Sequence, residues 1–449
     1  MIRLWFDKGT LLLKGEVGTP YGKWDPRVGC YRIKALYYHD VLCYLKESML
    51  AYQDEVPKPP PFQTLKDTVG LRAYQEEALS KWRHAGMRGI LVLPTAAGKT
   101  YIALKAIGLL KTQTLIVVPT LDLIDQWRKR VSDYLNVEAG AVGGGEDNVQ
   151  MVTVSTYDSA YLQAEVLGNR FMFMVFDEVH HLASPGYLQI AEMYIAPYRM
   201  GLTATYERSD HRHALLPTVV GDLVYNAKVD ELAGEHLSPY THQKIYVELT
   251  SEEQRVYDEE MDVFNSYLRE RGIVLKSNED FHRFIMATGR DRRAREALLA
   301  RNRAVKVALN SEAKLDLLAK QLGAHRSEKT LIFTLHNDLV YMISRRFLIP
   351  AVTYQTPKEE RREILENFRP GEYNAIVTSQ VLDEGVDVPD ASVGFMLSGT
   401  GSTREYIQRL GRLLRKVEGK QARLVEIVSK ETMEVGMSRR RCQKTSEEA

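Results

Sequence analysis

The sequence predicts an α/β protein of two lobes, each built on a parallel sheet, with a small α/β module ahead of them and a helical segment between them. Three observations carry this expectation. Short, wholly apolar runs alternate with helical stretches, the pattern of strands buried on both faces beneath crossover helices. That pattern occurs twice, from Leu71 and again after about residue 328, on either side of a charged stretch with helical periodicity. The length, 449 residues, leaves room for roughly three domains.

Residues 1–56 combine strand-like "RLWFD" and "TLLLKGE", a turn-rich middle, "GTPYGKWDPRVG", and a helix expected over "YHDVLCYLKESMLAY". The stretch 57–66 follows, and around it "VPKPPPF" holds four prolines, whose fixed backbone predicts a stiff linker. In the first lobe, 67–238, the strands are expected in "GILVLP", "TLIVVP", "VQMVTVST" and "FMFMVFDE". Residues 239–310 are expected to be mostly helical, as in "SEEQRVYDEEMDVFNSYLRERG" and "RDRRAREALLARNRAVK". The second lobe, 311–435, repeats the strand pattern in "KTLIFT", "NAIVTS", "SVGFMLS" and "RLVEIVS". The charged tail, 436–449, is expected to lack fixed structure.

With 44% hydrophobic and 27% charged residues the composition is that of ordinary soluble proteins, and no apolar run approaches the roughly 20 residues of a membrane span. The opening residues lack a signal peptide's apolar core, so a cytoplasmic protein with no membrane partner is expected. Three cysteines, Cys30, Cys43 and Cys442, have no metal-type spacing and make no disulfide framework. The formal charge of +1 excludes a strongly basic chain, so any groove for phosphates must come from local patches.

"ILVLPTAAGKTYIALKAI" reads as a strand, a small-residue turn and a helix. Thr95, Ala96, Ala97 and Gly98 would turn backbone N–H groups toward phosphate oxygens. Lys99 would offset charge on the β and γ phosphates, and the Thr100 hydroxyl would hold Mg²⁺. Two departures from the usual phosphate-loop pattern are visible: Leu93 stands at its first glycine, and Ala96 where another is common.

Downstream, "FMFMVFDEVHH" ends an apolar strand in Asp177 and Glu178. Asp177 would hold the metal and Glu178 would orient or deprotonate the attacking water. The rival here is zinc, on His180 and His181. Adjacent histidines diverge on a strand and lie about 100° apart on a helix, unlike the paired histidines of a zinc helix. His180 is better read as a relay from the nucleotide to a following loop. Thr203 and Thr205 in "MGLTAT" can hydrogen-bond such carboxylates or histidine. In the second lobe "YIQRLGRLLR" sets Gln408, Arg409, Arg412 and Arg415 on a helix, with Arg412 and Arg415 on one face as transition-state fingers or as a solvated basic face. Arg283, Arg290, Arg292, Arg293, Arg295, Arg301, Arg303 and Lys306 in the helical segment read either as a phosphate clamp or as a salt-bridged solvent face.

The order of "LRAYQEEAL", "LPTAAGKT", "VVPTLDLIDQW", "VSTYDS", "FDEVHH", "LTAT", "LIFTLHN", "VTSQVLDEGVDVP" and "QRLGRLLR" resembles the motif series of superfamily 2 helicases. The resemblance spans Leu71 to Arg415. The N-terminal "GTLLLKGE...WDPRVGCYR" is similar to the damage-recognition module of XPB helicases, and the helical segment lies where archaeal XPB proteins carry a thumb. It implies two RecA-like lobes around ATP and Mg²⁺, a DNA track, and a partner nuclease. It also implies roles at matching positions: Gln75 on adenine, Gly385 and Asp387 in a nucleotide-sensing loop, and Thr120, Thr156 and Thr378 on the nucleic-acid backbone. Arg208 and Asp210 match an Arg-Glu-Asp segment whose middle acid is here Ser209, which bears on strand separation more than on ATP turnover. Arg292 and Arg293 would touch DNA in the thumb-like segment. The expected activity is therefore ATP-dependent DNA translocation or unwinding in excision repair. Its rivals are an RNA helicase and an ATP-switched scaffold that positions a nuclease.

Overall fold

The computed structural model describes residues 2–15, 17–208, 210–234, 236–379, 391–399, 406, 409, 411, 413–414 and 420–446, except the side chains of 230, 278 and 441–446. Among these, residues up to Leu232 form one compact unit and those from Ala233 onward a second.

The N-terminal module is a five-stranded sheet. It contains β1 (Ile2–Asp7), β2 (Thr10–Lys14), β3 (Gly22–Asp25), β4 (Cys30–Lys34) and β5 (Tyr52–Asp54), in spatial order β3-β4-β2-β1-β5. The turn-rich middle thus contains a strand, β3, antiparallel to β4. The helix is shorter than its sequence pattern suggests. It covers Tyr38–Glu47 and stops as Met49 takes a left-handed φ of 54°, which frees Tyr52–Asp54 to pair parallel with β1. Val41 and Leu45 of this helix join Leu4, Leu11, Leu13 and Ile33 of the sheet in one core, which Ile195 of the first lobe completes. The proline-rich stretch does not hang free. Lys58 N donates to Asn169 O, Asn169 Nδ2 to Val56 O, and Lys66 N to Leu135 O, so module and linker are bonded along the lobe.

The first lobe carries β6 (Arg88–Val92), β7 (Thr114–Val118), β8 (Gly140–Gly143), β9 (Glu146–Asn148), β10 (Val152–Thr156), β11 (Phe173–Asp177), β12 (Tyr198–Thr203) and β13 (Leu223–Asn226). Their order is β13-β6-β12-β11-β7-β10-β8-β9, parallel throughout except for the β8–β9 hairpin. Every residue of β7, β10 and β11 is buried, which is why β7 and β11 are almost wholly apolar, while β10 buries Thr153, Ser155 and Thr156 between its valines. Because the strands are parallel, the loops that follow β6, β7, β10, β11 and β12 all open at one edge. The site lies there.

The second unit holds an all-parallel sheet of β14 (Tyr240–Val247), β15 (Thr330–Phe333), β16 (Ala351–Val352), β17 (Ala375–Thr378), β18 (Val393–Met396) and β19 (Ala422–Ser429), ordered β14-β19-β18-β15-β17-β16. The stretch expected to be helical from 239 therefore begins with a strand, β14. It pairs with β19 along its whole length, and of its residues Thr241, Gln243 and Tyr246 are exposed. Helices Ser251–Glu270, Asn278–Ala287 and Arg292–Leu309 follow, packed around Phe264, Tyr267, Phe284, Ala294 and Ala297. The first opens with Thr250 and Glu253 in a capping box, and the second with Ser277 and Asp280 in the same arrangement. The charged tail is ordered into a helix, Met433–Ser446, because Glu434 and Ser438 near its start are buried in the lobe.

Candidate active site in the first lobe

The loop after β6 leads from Leu93 to Gly98, and the helix Lys99–Leu110 starts at once. Ala96 and Gly98 both take left-handed φ, 70° and 74°, which turns successive peptide groups as a phosphate cradle requires. A Cβ at Gly98 would lie 2.6 Å from Gln75 Nε2, so only glycine fits there. Leu93, at the pattern's first glycine, is fully buried and takes part through its backbone: its N–H donates to Thr203 O and its carbonyl accepts from Lys99 Nζ at 3.1 Å. The Thr95 hydroxyl is buried without a partner among the described residues, an arrangement that suits a polar guest in the loop.

Two strands away, β11 delivers Asp177 and Glu178. The Asp177 carboxylate is clamped on both oxygens, by Trp127 Nε1 at 2.9 Å on Oδ2 and by the Glu178 N–H at 3.1 Å on Oδ1. Burial, and then the neighbouring Glu178 charge, pushes the Asp177 carboxyl up to about 6, against the Trp127 hydrogen bond and the positive charges of Lys99 and Arg130. Glu178 sits in the left-handed region, φ 48°, a strained backbone for a side chain with a Cβ. The turn aims its carboxylate back over the sheet edge, 4.0 Å from Lys99 Nζ. Thr203 Oγ1 reaches Glu178 Oε2 at 3.3 Å, and His180 Nδ1 lies 3.2 Å from the same hydroxyl. The Thr203 side chain also bonds the Thr205 backbone. Lys99, Asp177, Glu178, His180, Thr203 and Thr205 thus form one cluster, with Thr100 next to Lys99 at the helix start, and their donor set fits a phosphate chain with a hard divalent cation: an ammonium, a hydroxyl and a carboxylate.

The remaining expectations fall out differently. The Gln75 amide is spent on the loop itself, donating to Ala97 O at 2.9 Å while its oxygen accepts from Arg72 N. Thr156 uses its hydroxyl to cap the helix Tyr157–Leu162, and the Thr378 hydroxyl donates to Ser379 O, so both point at their own backbone. Thr120 Oγ1 is buried without a partner among the described residues. Arg208 is turned into the lobe, bonded to His180 O at 2.7 Å and paired with Asp210. In the helical segment, acids of Ser251–Glu270 and of neighbouring helices claim four of the eight cations: Arg293 pairs with Glu270, Arg303 with Glu260, Arg283 with Asp280, and Lys306 with Asp338. Arg292 is exposed. Gly385, Asp387, Gln408, Arg412 and Arg415, with Ser209, lie outside the described residues. Arg409 is buried over the Phe333 ring, 5.6 Å from its centroid, and donates to Ser398 O at 3.3 Å and Thr334 O at 3.5 Å.

Sequence reasoning missed Trp127, Arg130 and Tyr157. The Tyr157 hydroxyl donates to Asp177 O, and Arg130 Nη1 donates to Thr100 Oγ1 at 2.8 Å. A signal existed for Trp127: it lies on the buried face Ile124, Trp127, Val131 and Leu135, where an indole N–H must find an acceptor.

Against known proteins, the chain is 46% identical over 98% of its length to the DNA 3'-5' translocase XPB2 of Sulfurisphaera tokodaii, all of which it spans. The chain belongs to the XPB family. Within it, residues 4–56 match the XPB helicase damage recognition domain, 68–208 the type III restriction enzyme res subunit, and 313–417 the helicase conserved C-terminal domain. The XPB subunit of the transcription and repair factor IIH of Schizosaccharomyces pombe is 28% identical over 84% of this chain, and a Rad25 helicase of Haloarcula marismortui 28% over 82%. The chain spans about half of each, 46% and 54%. The helicase domain of Pyrococcus furiosus Hef shares the fold, with a TM-score of 0.53 at 20% identity, covering 82% of this chain and 97% of that one. XPB membership makes the chain a DNA-dependent ATPase. No helix among the described residues is long and apolar enough to cross a membrane.

Proposed function

We propose that the chain is an ATP-dependent DNA translocase or helicase of the XPB type that opens or remodels DNA in excision repair, moving 3'-5' as the name of its Sulfurisphaera relative states. One observation carries the chemistry: a phosphate loop, a paired acid and their relay meet at one sheet edge, with Lys99 Nζ 4.0 Å from Glu178. Thr100 and Asp177 would hold Mg²⁺, which supplies charge neutralisation to the phosphate oxygens. Lys99 would exchange the Leu93 carbonyl for phosphate. Glu178, steadied by Thr203, would take the proton of the attacking water, and His180 would report its position through Arg208 to the loop behind. Gln75 would release Ala97 O to meet the base. Gln408, Arg412 and Arg415, with Gly385 and Asp387, keep the nucleotide roles that the family resemblance implies, and Thr120, Arg292 and Arg293 the contacts to the DNA backbone. Cytoplasmic action on nucleoid DNA fits this reading.

The test is ATP hydrolysis alone and with single-stranded, duplex or forked DNA or matched RNA, with Lys99→Ala as the blank. DNA-specific stimulation that the blank loses supports the motor. Stimulation by RNA alone overturns it. A second reading, a scaffold that positions a partner nuclease, is favoured by Ser209 where the family carries an acid. Unwinding only in the presence of a nuclease partner would select it.

A further inference from the structure

The helix Leu121–Leu135 carries none of the residues just assigned to phosphate or water. Yet two of its side chains, one turn apart, bond the two residues assigned to the metal. Trp127, fully buried, gives its only polar hydrogen to Asp177 Oδ2, and Arg130 gives one of its own to Thr100 Oγ1. Residues three apart on a helix share a face, so a single rigid element spans both ligands. With Oδ1 held by the Glu178 N–H, the Asp177 carboxylate is pinned in plane and rotation, and each oxygen still keeps a lone pair for a cation.

We propose that Trp127 and Arg130 are positioning residues that preset the divalent-cation ligands Asp177 and Thr100. This rests on the nucleotide reading of the site. A packing role alone would make Trp127 matter for stability and not for metal affinity, whereas losing a hydrogen bond to a ligating carboxylate typically costs about 10- to 100-fold in metal affinity. Arg130 serves a neutral hydroxyl, and its own charge opposes the cation, so its contribution is the smaller one.

The experiment titrates Mn²⁺, followed by its paramagnetic resonance, into the full chain with a non-hydrolysable ATP analogue, alongside melting curves without divalent cation. Trp127→Phe keeps an aromatic ring and removes the N–H. It is expected to raise half-saturating Mn²⁺ about 10-fold or more while metal-free binding of the analogue stays as in the parent. Arg130→Met, on a half-buried site that tolerates change, is expected to raise it about threefold. In an Asp177→Asn background Trp127→Phe should add nothing, because residues acting through one another are not additive. A parental Mn²⁺ dependence in Trp127→Phe, or an equal further rise in the Asn background, would show that Trp127 only packs. A parental value for Arg130→Met would overturn its half of the clamp. If the parent chain itself binds the analogue without any divalent dependence, the site reading fails first and the inference with it.

Discussion

Both lobes sink a lysine beside the end of a parallel sheet, and they hold it in opposite ways. In the second lobe Lys314 is fully buried, and its ammonium is saturated by Glu434 Oε2 at 2.6 Å, Leu397 O at 2.8 Å and Leu309 O at 3.4 Å. Glu434 in turn takes the Ser429 N–H. In the first lobe Lys99 retains 11% side-chain exposure, bonds one carbonyl and stands 4.0 Å from its acid. Three donors on three acceptors make a structural cross-link, joining the helix Glu312–Ala324, β18 and the C-terminal helix. Three donors with one acceptor leave capacity for a ligand's oxygens. The slack around Lys99 suits the nucleotide site proposed for it, and the tightness around Lys314 is that of a buried strut.

The contrast is broken most forcefully by removing one charge from each pair. Glu178→Gln keeps the shape and hydrogen bonds of the first lobe but loses the base; turnover in a phosphate-release assay should fall by about 10²- to 10⁴-fold while nucleotide binding persists. Retained turnover would remove Glu178 from its role. Lys314→Met leaves Glu434 charged and buried without its cation, which costs about 3–5 kcal/mol. Denaturant titration should show this loss, and adding Glu434→Leu should restore much of it; an unchanged midpoint would mean the strut carries no load.

Smaller effects sharpen the picture at the loop. Gly98→Ala forces a Cβ into the left-handed region and toward Gln75 Nε2, a backbone cost of about 1–2 kcal/mol, so nucleotide affinity should drop by roughly tenfold. Adding Gln75→Ala should relieve the clash and not the backbone term. The smallest change is expected in the helical segment, where Arg292 is exposed and Arg293 is paired with Glu270. If Arg292 neutralises one DNA phosphate, Arg292→Ala should flatten the salt dependence of binding by about one unit of slope, and Arg293→Ala by less. Equal slopes would place the DNA elsewhere.

Much was readable from order alone. Each of the eight short runs singled out in the two lobes is a strand, because parallel strands covered on both faces have little polar side to disguise them, whereas the short β8, β9, β13 and β16 carry no such run. The phosphate loop and the Asp177–Glu178 pair were legible because backbone conformation and spacing there are local properties. Strand β14 was hidden because "YTHQKIYV" is neither an apolar run nor a strict alternation and leads directly into the helical pattern that follows. The basic run of the thumb-like helices looked free because its acids come from another helix: Glu260 and Glu270 lie 43 and 23 residues from Arg303 and Arg293.

By itself, then, the chain's order of residues determined the two-lobed α/β architecture, the nucleotide chemistry and the kinship with DNA motors, since each is written in contiguous stretches whose local geometry does the work. Only the tertiary structure decided which polar groups are already satisfied. Gln75 folded onto its loop, Arg208 bound beneath His180, Trp127 and Arg130 set behind Asp177 and Thr100, and Lys314 locked to Glu434 all depend on partners distant in sequence. A buried donor takes whichever acceptor packing brings within about 3 Å, and that choice is made in three dimensions.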